Sequence, residues 1–98
     1  MELNAIQDYY PDDFSHCYGC GRLNEQGHRI KTYLDGEETV TRFTPENYHI
    51  SIPGYVYGGL IASLIDCHAM GTAALVSYRA DKREPGTLPP YRYVTASL

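Results

Sequence analysis

One stretch of the chain has a helical pattern of apolar positions and organises the rest. Downstream of the Pro53–Gly54 break, apolar and small residues recur three and four positions apart. The residues that set this pattern are Leu60, Ile61, Leu64, Ile65, Ala69, Met70, Ala73, Ala74, Leu75 and Val76. The pattern predicts one long helix within residues 54–80. Because apolar and small side chains occur nearly all round it, we expect the helix to be covered on most sides.

Two segments before the helix alternate apolar and polar residues with period two, as strands do. They are residues 28–34 and residues 38–43, and the Asp35–Gly36 pair between them is typical of a hairpin turn. The side chains predicted to face inward are Ile30, Thr32 and Leu34 in the first segment and Val40 and Phe43 in the second. The pattern therefore predicts an antiparallel hairpin.

The remaining segments are less regular. Leu3, Ile6 and Tyr10 share one helical face near the N-terminus. After the long helix, residues 77–90 are polar and rich in proline and glycine, which predicts a loop. The basic residues of this loop, Arg79, Lys82 and Arg83, either contact phosphate groups or belong to a solvated surface. Residues 91–98 predict a third strand.

Composition limits the class of protein. Ninety-eight residues suffice for one small domain, and so short a chain would gain by burying surface against a second copy. The net charge of −4 argues against nucleic acid as a partner. We find no apolar run near the roughly 20 residues of a membrane span and no signal peptide. Three cysteines, an odd number, give no disulfide framework, so we expect a cytoplasmic protein.

Asp66 and a glycine pair are the candidate chemical groups of the predicted helix. A carboxylate on a covered helix is costly unless it is paired, hydrogen-bonded or facing a pocket; the alternative is a place on a solvated edge. Gly58 and Gly59 lack side chains, so a carbonyl or oxyanion can approach the free N–H groups at the helix start. The alternative is a turn that simply requires small residues.

The spacing of these groups favours a site shared between two chains. Gly58 and Asp66 are eight residues apart, which is about 12 Å along a helix. Catalytic contacts need about 3 Å from the reacting atoms. One helix cannot place both groups on one carbonyl, whereas two antiparallel helices about a two-fold axis can.

The cysteines offer a second kind of site. Cys17-Tyr-Gly-Cys20 has the spacing of half a zinc ribbon, but the chain has no second pair. A metal site, a redox pair and a tight glycine-rich turn with two packed thiols remain open, and we expect the last, with no metal. Cys67 and His68 are adjacent, so on a helix they point about 100° apart and do not form a nucleophile pair.

Two motifs together resemble a known family, the hotdog-fold thioesterases of the phenylacetate-degradation type. They are Cys17-Tyr-Gly-Cys20-Gly-x-x-Asn24-x-x-Gly27 and Pro53-Gly-x-x-x-Gly-Gly-Leu-Ile-Ala-x-Leu-Ile-Asp66. The resemblance implies an α+β hotdog fold, in which an antiparallel sheet wraps one long central helix. Residues 1–98 would form a single, partial hotdog domain whose later strands are missing from this chain or supplied by a partner.

The resemblance also implies a function, the hydrolysis of an acyl-CoA or acyl-pantetheine thioester. It makes Asp66 the nucleophile or general base, Gly58 the donor of a backbone N–H to the thioester carbonyl, and Thr95 the residue that orients the attacking water. Coenzyme A enters only as part of the substrate, no metal or other cofactor is expected, and the protein would be a homodimer or homotetramer. We expect the substrate-binding residues to be Tyr57, Gly59 and Tyr55.

Two alternatives remain open. The family motif begins His-Gly-Gly, and here Tyr57 replaces the histidine. That departure favours a catalytically impaired hotdog module that binds an acyl ligand or a partner subunit. The Cys-x-x-Cys pair favours a small zinc-binding module.

Overall fold

The computed structural model describes residues 4–97, which form one long helix packed against a two-stranded sheet. The chain is therefore α+β, as expected, and this arrangement is compatible with part of a hotdog fold. The elements are two 3-10 turns, Ile6–Tyr9 and Asp12–Phe14, strands β1 (Thr32–Asp35) and β2 (Glu38–Thr41), and helix α1 (Gly58–Ala80).

Helix α1 confirms the helical pattern of the sequence. It begins at Gly58, directly after Tyr57 in an extended conformation, and the N–H of Asp81 closes its end on the carbonyl of Ser77 at 3.2 Å. Arg79 in the last turn carries a positive charge, which the helix dipole favours at the C-terminal end of a helix. The buried residues form one narrow stripe, at positions Leu60, Cys67, Gly71, Ala74 and Tyr78. These positions are separated by three, four or seven residues, so they lie on one face.

The expectation that the helix is covered on most sides is wrong for the single chain. Ile61, Ile65 and Val76 have relative exposures of 47%, 64% and 59%. The physical reason is that two strands of four residues cover one side of a 23-residue helix and leave the opposite side open. An apolar helix face of this length lies bare unless something outside the chain covers it.

The length and composition of α1 also contradict the expectation that no segment is long and apolar enough to span a membrane. Among residues 4–97, this helix is long and apolar enough to cross a bilayer, contrary to the sequence expectation that no run is. The core helix of a water-soluble protein has the same properties, so the observation is weak evidence for a membrane location.

Strands β1 and β2 confirm the predicted hairpin, although both are shorter than expected. They pair antiparallel with Asp35 opposite Glu38, and a two-residue turn joins them. Gly36 in that turn has a φ of +63°, a conformation that glycine adopts without steric cost.

One inward position of β2 was predicted wrongly. Val40 lies opposite Tyr33, on the other face from the two residues that contact α1. Those residues are Thr39, which hydrogen-bonds with Thr72 at 2.7 Å, and Thr41, which hydrogen-bonds with His68 at 2.8 Å. The polar face of β2 is therefore the inner one, because helix α1 offers it hydroxyl and imidazole partners.

A chain of polar side chains ties the N-terminal segment, the hairpin and the helix together. The buried Gln7 amide accepts a hydrogen bond from the N–H of Thr32 at 2.7 Å and donates one to the Thr32 hydroxyl at 3.1 Å. That hydroxyl hydrogen-bonds with Thr41 at 2.9 Å, and Thr41 with Nδ1 of His68. Each of these polar groups has a hydrogen-bond partner, as buried polar groups require, so this series of hydrogen bonds stabilises the fold.

Among residues 4–97, the apolar core consists of two small clusters on the inner side of α1. The first cluster contains Ile6, Tyr10, Ala74 and Tyr78, and the second contains Cys20, Ile30 and Cys67. Ile6 and Tyr10 pack in the same cluster, but they do not share a helical face as predicted, because the 3-10 turn ends at Tyr9. Leu3 lies outside the described residues. Phe43 packs against the second cluster, so its predicted inward position is confirmed.

The predicted third strand is not formed between residues 91 and 97, and Leu98 lies outside the described part of the chain. This segment follows α1 through side-chain contacts instead of a backbone ladder. Tyr91 packs edge-on against Tyr78 at 5.0 Å, and the Tyr93 hydroxyl hydrogen-bonds with Ser77 at 2.7 Å. Within the described residues it has no neighbouring strand to pair with, so its backbone forms no sheet.

We expect Gly71→Leu to destabilise the fold by about 1–3 kcal/mol, the usual cost of overpacking a filled site. A Cβ atom at Gly71 would lie 2.9 Å from Nε2 of Gln7 and 3.0 Å from Cγ2 of Ile6. Leucine has the higher helix propensity, so a loss of stability would come from packing alone. Urea unfolding measures the effect. The matched control is Ala80→Leu at the exposed helix end, which should change stability by less than about 0.5 kcal/mol.

Candidate functional site

The start of α1 presents open backbone N–H groups. The first N–H groups of a helix have no acceptor within it and carry its partial positive charge. At Gly58, no atom lies within 4 Å of the position a Cβ would occupy, so this residue is open to a ligand. At Gly59, the ring of Tyr57 occupies that position. The two glycines therefore differ: Gly58 is accessible, while Gly59 accommodates a tyrosine.

The loop before the helix fixes the position of Tyr57. An isolated bridge pairs Ile50 with Val56, and the N–H of Tyr57 donates to the carbonyl of His49 at 3.0 Å. Tyr55 and Tyr57 are both largely exposed, so in the single chain they line the surface around the helix start.

Asp66 lies half-buried on the flank of α1 that the C-terminal segment follows. The hydroxyl of Thr95 donates a hydrogen bond to Oδ1 of Asp66. Two of the predicted catalytic residues are therefore in contact, although 29 positions separate them in sequence. Gly58 does not lie near Asp66 and Thr95, because it is about 12 Å from Asp66 along the same helix. The arrangement can hold a water or hydroxyl group beside a carboxylate, but the polarising N–H must come from elsewhere.

An open groove lies between β2 and the other flank of α1. Its volume is about 580 Å³, and apolar residues supply much of its lining, among them Phe43, Leu64, Ile65 and Ala69. His68 also lines it, with both ring nitrogens engaged by the hydroxyls of Thr39 and Thr41. A histidine held in this way positions the strand against the helix. The groove has the dimensions of a small-ligand site.

Two of the basic residues of the predicted loop 77–90 are engaged in contacts within the chain. The loop begins later than predicted, because α1 continues to Ala80 and includes Arg79. Arg79 pairs with Glu37 at 3.6 Å, and Arg83 donates to the carbonyl of Thr87 at 2.7 Å. The guanidinium of Arg83 also lies over the rings of Tyr78 and Tyr91. Arg83 is therefore a structural residue of this loop.

The three cysteines come together, which the sequence did not reveal. The Sγ atoms of Cys17, Cys20 and Cys67 all lie within 4.8 Å of one another. Hydrogen bonding between the Cys20 and Cys67 thiols lowers the pKa of Cys20 and raises the pKa of Cys67, and burial adds to the latter effect. The prediction that Cys67 and His68 do not face each other is confirmed, since His68 turns to β2. The Cys-x-x-Cys spacing identifies Cys17 and Cys20 as a pair but does not indicate the approach of Cys67.

No family model, curated protein or solved structure matches the chain. The resemblance to hotdog thioesterases therefore stays a prediction that depends on the two sequence motifs.

Proposed function

We propose that the protein hydrolyses an acyl thioester of coenzyme A or of protein-bound pantetheine, acting as a cytoplasmic homodimer that needs no nucleic acid or membrane and uses no cofactor in the reaction itself. The observation that carries the proposal is the contact between Asp66 and Thr95. A carboxylate that is half-buried, hydrogen-bonded to a hydroxyl and close to an open helix face is suited to activate water.

The proposed reaction uses three groups. The N–H of Gly58 and the helix dipole polarise the acyl carbonyl, and they stabilise the oxyanion that forms there. Asp66 takes a proton from a water held by Thr95, and the water oxygen bonds to the carbonyl carbon. The intermediate then expels the thiolate as the carbon–sulfur bond breaks. The thiolate takes up the proton, and the free acid and thiol leave. Direct attack by Asp66 is the other route open to the same carboxylate.

A second copy of the chain would complete the site. The exposed side of α1 carries small and apolar residues, namely Ala62, Ile65, Ala69 and Val76. Alanine allows two helices to approach closely, and a two-fold axis perpendicular to them near Ala62 makes them antiparallel. The Gly58 of one chain then lies opposite the Asp66 of the other, which removes the separation of about 12 Å within one helix. Pairing of two such dimers would give the tetramer expected from the resemblance.

The substrate would lie across the start of the helix. Tyr57 and Gly59 adjoin Gly58 in the chain, and Tyr55 and Tyr57 are both exposed just before the helix start. The groove of about 580 Å³ beside β2 is mostly apolar and would accept an acyl chain.

The position of Tyr57 favours a second candidate, a hotdog module that binds an acyl ligand or a partner without hydrolysing it. The ring of Tyr57 folds back over Gly59, next to the N–H groups that would polarise the carbonyl. A purified protein that binds acyl-CoA by calorimetry but releases no thiol from a panel of acyl-CoAs would support this candidate.

A mixed dimer tests whether the site is shared. Gly58→Pro removes the N–H but suits the first helical position, and Tyr57 already has an extended conformation that tolerates a following proline. We expect Gly58→Pro and Asp66→Asn homodimers to be inactive. A hybrid of one chain of each, purified with two affinity tags, should regain about half of the wild-type kcat, because one of its two sites keeps both groups.

The contrary result is as informative. If the hybrid is a folded dimer by circular dichroism and light scattering yet stays inactive, the two groups do not act across the interface. Thiol release from acyl-CoA, followed with a chromogenic disulfide, is the readout for all three proteins.

A further inference from the structure

We propose that Cys17, Cys20 and Cys67 bind one Zn²⁺ ion, which ties the glycine-rich loop at residues 17–20 to helix α1. The proposal does not depend on thioester hydrolysis. Its first support is geometric, since three Sγ atoms from two separate parts of the chain lie within 4.8 Å of one another. With Zn–S bonds of about 2.3 Å, a tetrahedral site needs sulfur–sulfur distances of about 3.8 Å. Changes of about 1 Å or less would therefore complete it.

Two glycines make the close approach possible. At Gly19, the Sγ of Cys67 occupies the space where a Cβ would stand. At Gly21, a Cβ would meet the backbone of residues 15–17, and the N–H of Gly21 donates to the carbonyl of Cys17 at 2.8 Å. The loop is therefore a tight turn that brings both of its thiols to the helix, as the loops of structural zinc sites do.

Charge also favours a divalent cation. Three thiolates carry three negative charges, which Zn²⁺ and one nearby guanidinium would balance. That guanidinium belongs to Arg92, which lies over the ring of Tyr10 at 4.8 Å and lines the same cavity as Cys17. The soft thiolate ligand set prefers zinc over magnesium or calcium, which take oxygen ligands.

The fourth coordination position would face solvent. Cys17 is the half-exposed member of the cluster, and it borders a cavity of about 400 Å³ that Asp13 and His16 also line. Water entering this cavity would supply the fourth ligand. Because Cys67 directly follows Asp66, the ion would also fix the helix turn that carries this carboxylate.

Cobalt titration of the reduced, metal-free protein tests the proposal. We expect one Co²⁺ per chain with an intense thiolate-to-cobalt absorption, displaced by one equivalent of Zn²⁺, and about one zinc per chain by mass spectrometry of protein expressed in zinc-containing medium. Cys67→Ala should weaken Zn²⁺ binding by more than the 10–100-fold that loss of an outer-shell partner costs. Cys17→Ala should have the same effect from a half-exposed position, where misfolding is a smaller risk.

The control variant is His28→Ala, which removes an imidazole outside the cluster and should leave the cobalt spectrum unchanged. Two results would overturn the proposal. One is fully reduced, folded wild-type protein that binds no Co²⁺ or Zn²⁺. The other is an unchanged cobalt spectrum in both cysteine variants, which would place the metal elsewhere.

Discussion

Asp66→Asn should lower the kcat for acyl-CoA hydrolysis by about two to four orders of magnitude, the range that a positioned general base contributes. Asparagine keeps the size of the side chain and can still accept the hydrogen bond from Thr95. It cannot take up a proton from water. Because binding groups are untouched, KM should change little, so the loss should appear mainly in kcat. Steady-state kinetics of thiol release measure both constants.

The control for this substitution is Asp35→Asn, which makes the same chemical change at an exposed strand end away from the site. It should keep wild-type kcat and KM. Both variants should have the circular dichroism spectrum of the wild type. Unchanged turnover in folded Asp66→Asn would remove this carboxylate from the mechanism, whatever its contact with Thr95.

Ile65→Lys should convert the proposed dimer into a folded, inactive monomer. Ile65 is 64% exposed in the single chain, so lysine there costs the monomer little. In the proposed dimer, symmetry places one such lysine from each chain in the helix interface, where each charge would lose its contact with water. We expect the dimer Kd to rise at least about 100-fold, or about 2.7 kcal/mol. Light scattering at several protein concentrations gives the Kd.

The matched control is Leu88→Lys, which changes an apolar residue in the loop after the helix that is even more exposed, at 76%. It should stay dimeric and active. If Ile65→Lys remains a dimer, the exposed face of α1 is not the interface. If it becomes monomeric but keeps full activity, the site is complete within one chain and the shared arrangement is wrong.

The helix and the hairpin could be predicted from the sequence because local pattern determines them. Apolar residues at helical spacing after Pro53–Gly54 predict α1, and Asp35–Gly36 between alternating segments predicts the turn. The inner face of β2 could not be predicted in this way. Its threonines face inward because His68 and Thr72, about 30 residues away, supply hydroxyl and imidazole partners. Period-two alternation only identifies which side is apolar.

The candidate site was predictable in part. Thr95 was placed beside Asp66 through the resemblance, and the structure puts the two in contact. The cysteine cluster was not foreseen, because nothing in the spacing of Cys17 and Cys20 indicates that Cys67 will reach them. That meeting depends on how the loop packs on the helix, with Gly19 allowing the close approach.

The polar chain from Gln7 to His68 has a consequence for how the hairpin selects its alignment. A shift of β2 by a single position would turn Thr39 and Thr41 outward and set Val40 against the imidazole. Each desolvated group deprived of its partner would then cost about 1–3 kcal/mol. Misaligned pairings of β1 and β2 are therefore disfavoured, because they leave buried polar groups without hydrogen-bond partners. Polar contacts, and not apolar ones, determine how β2 is aligned on α1.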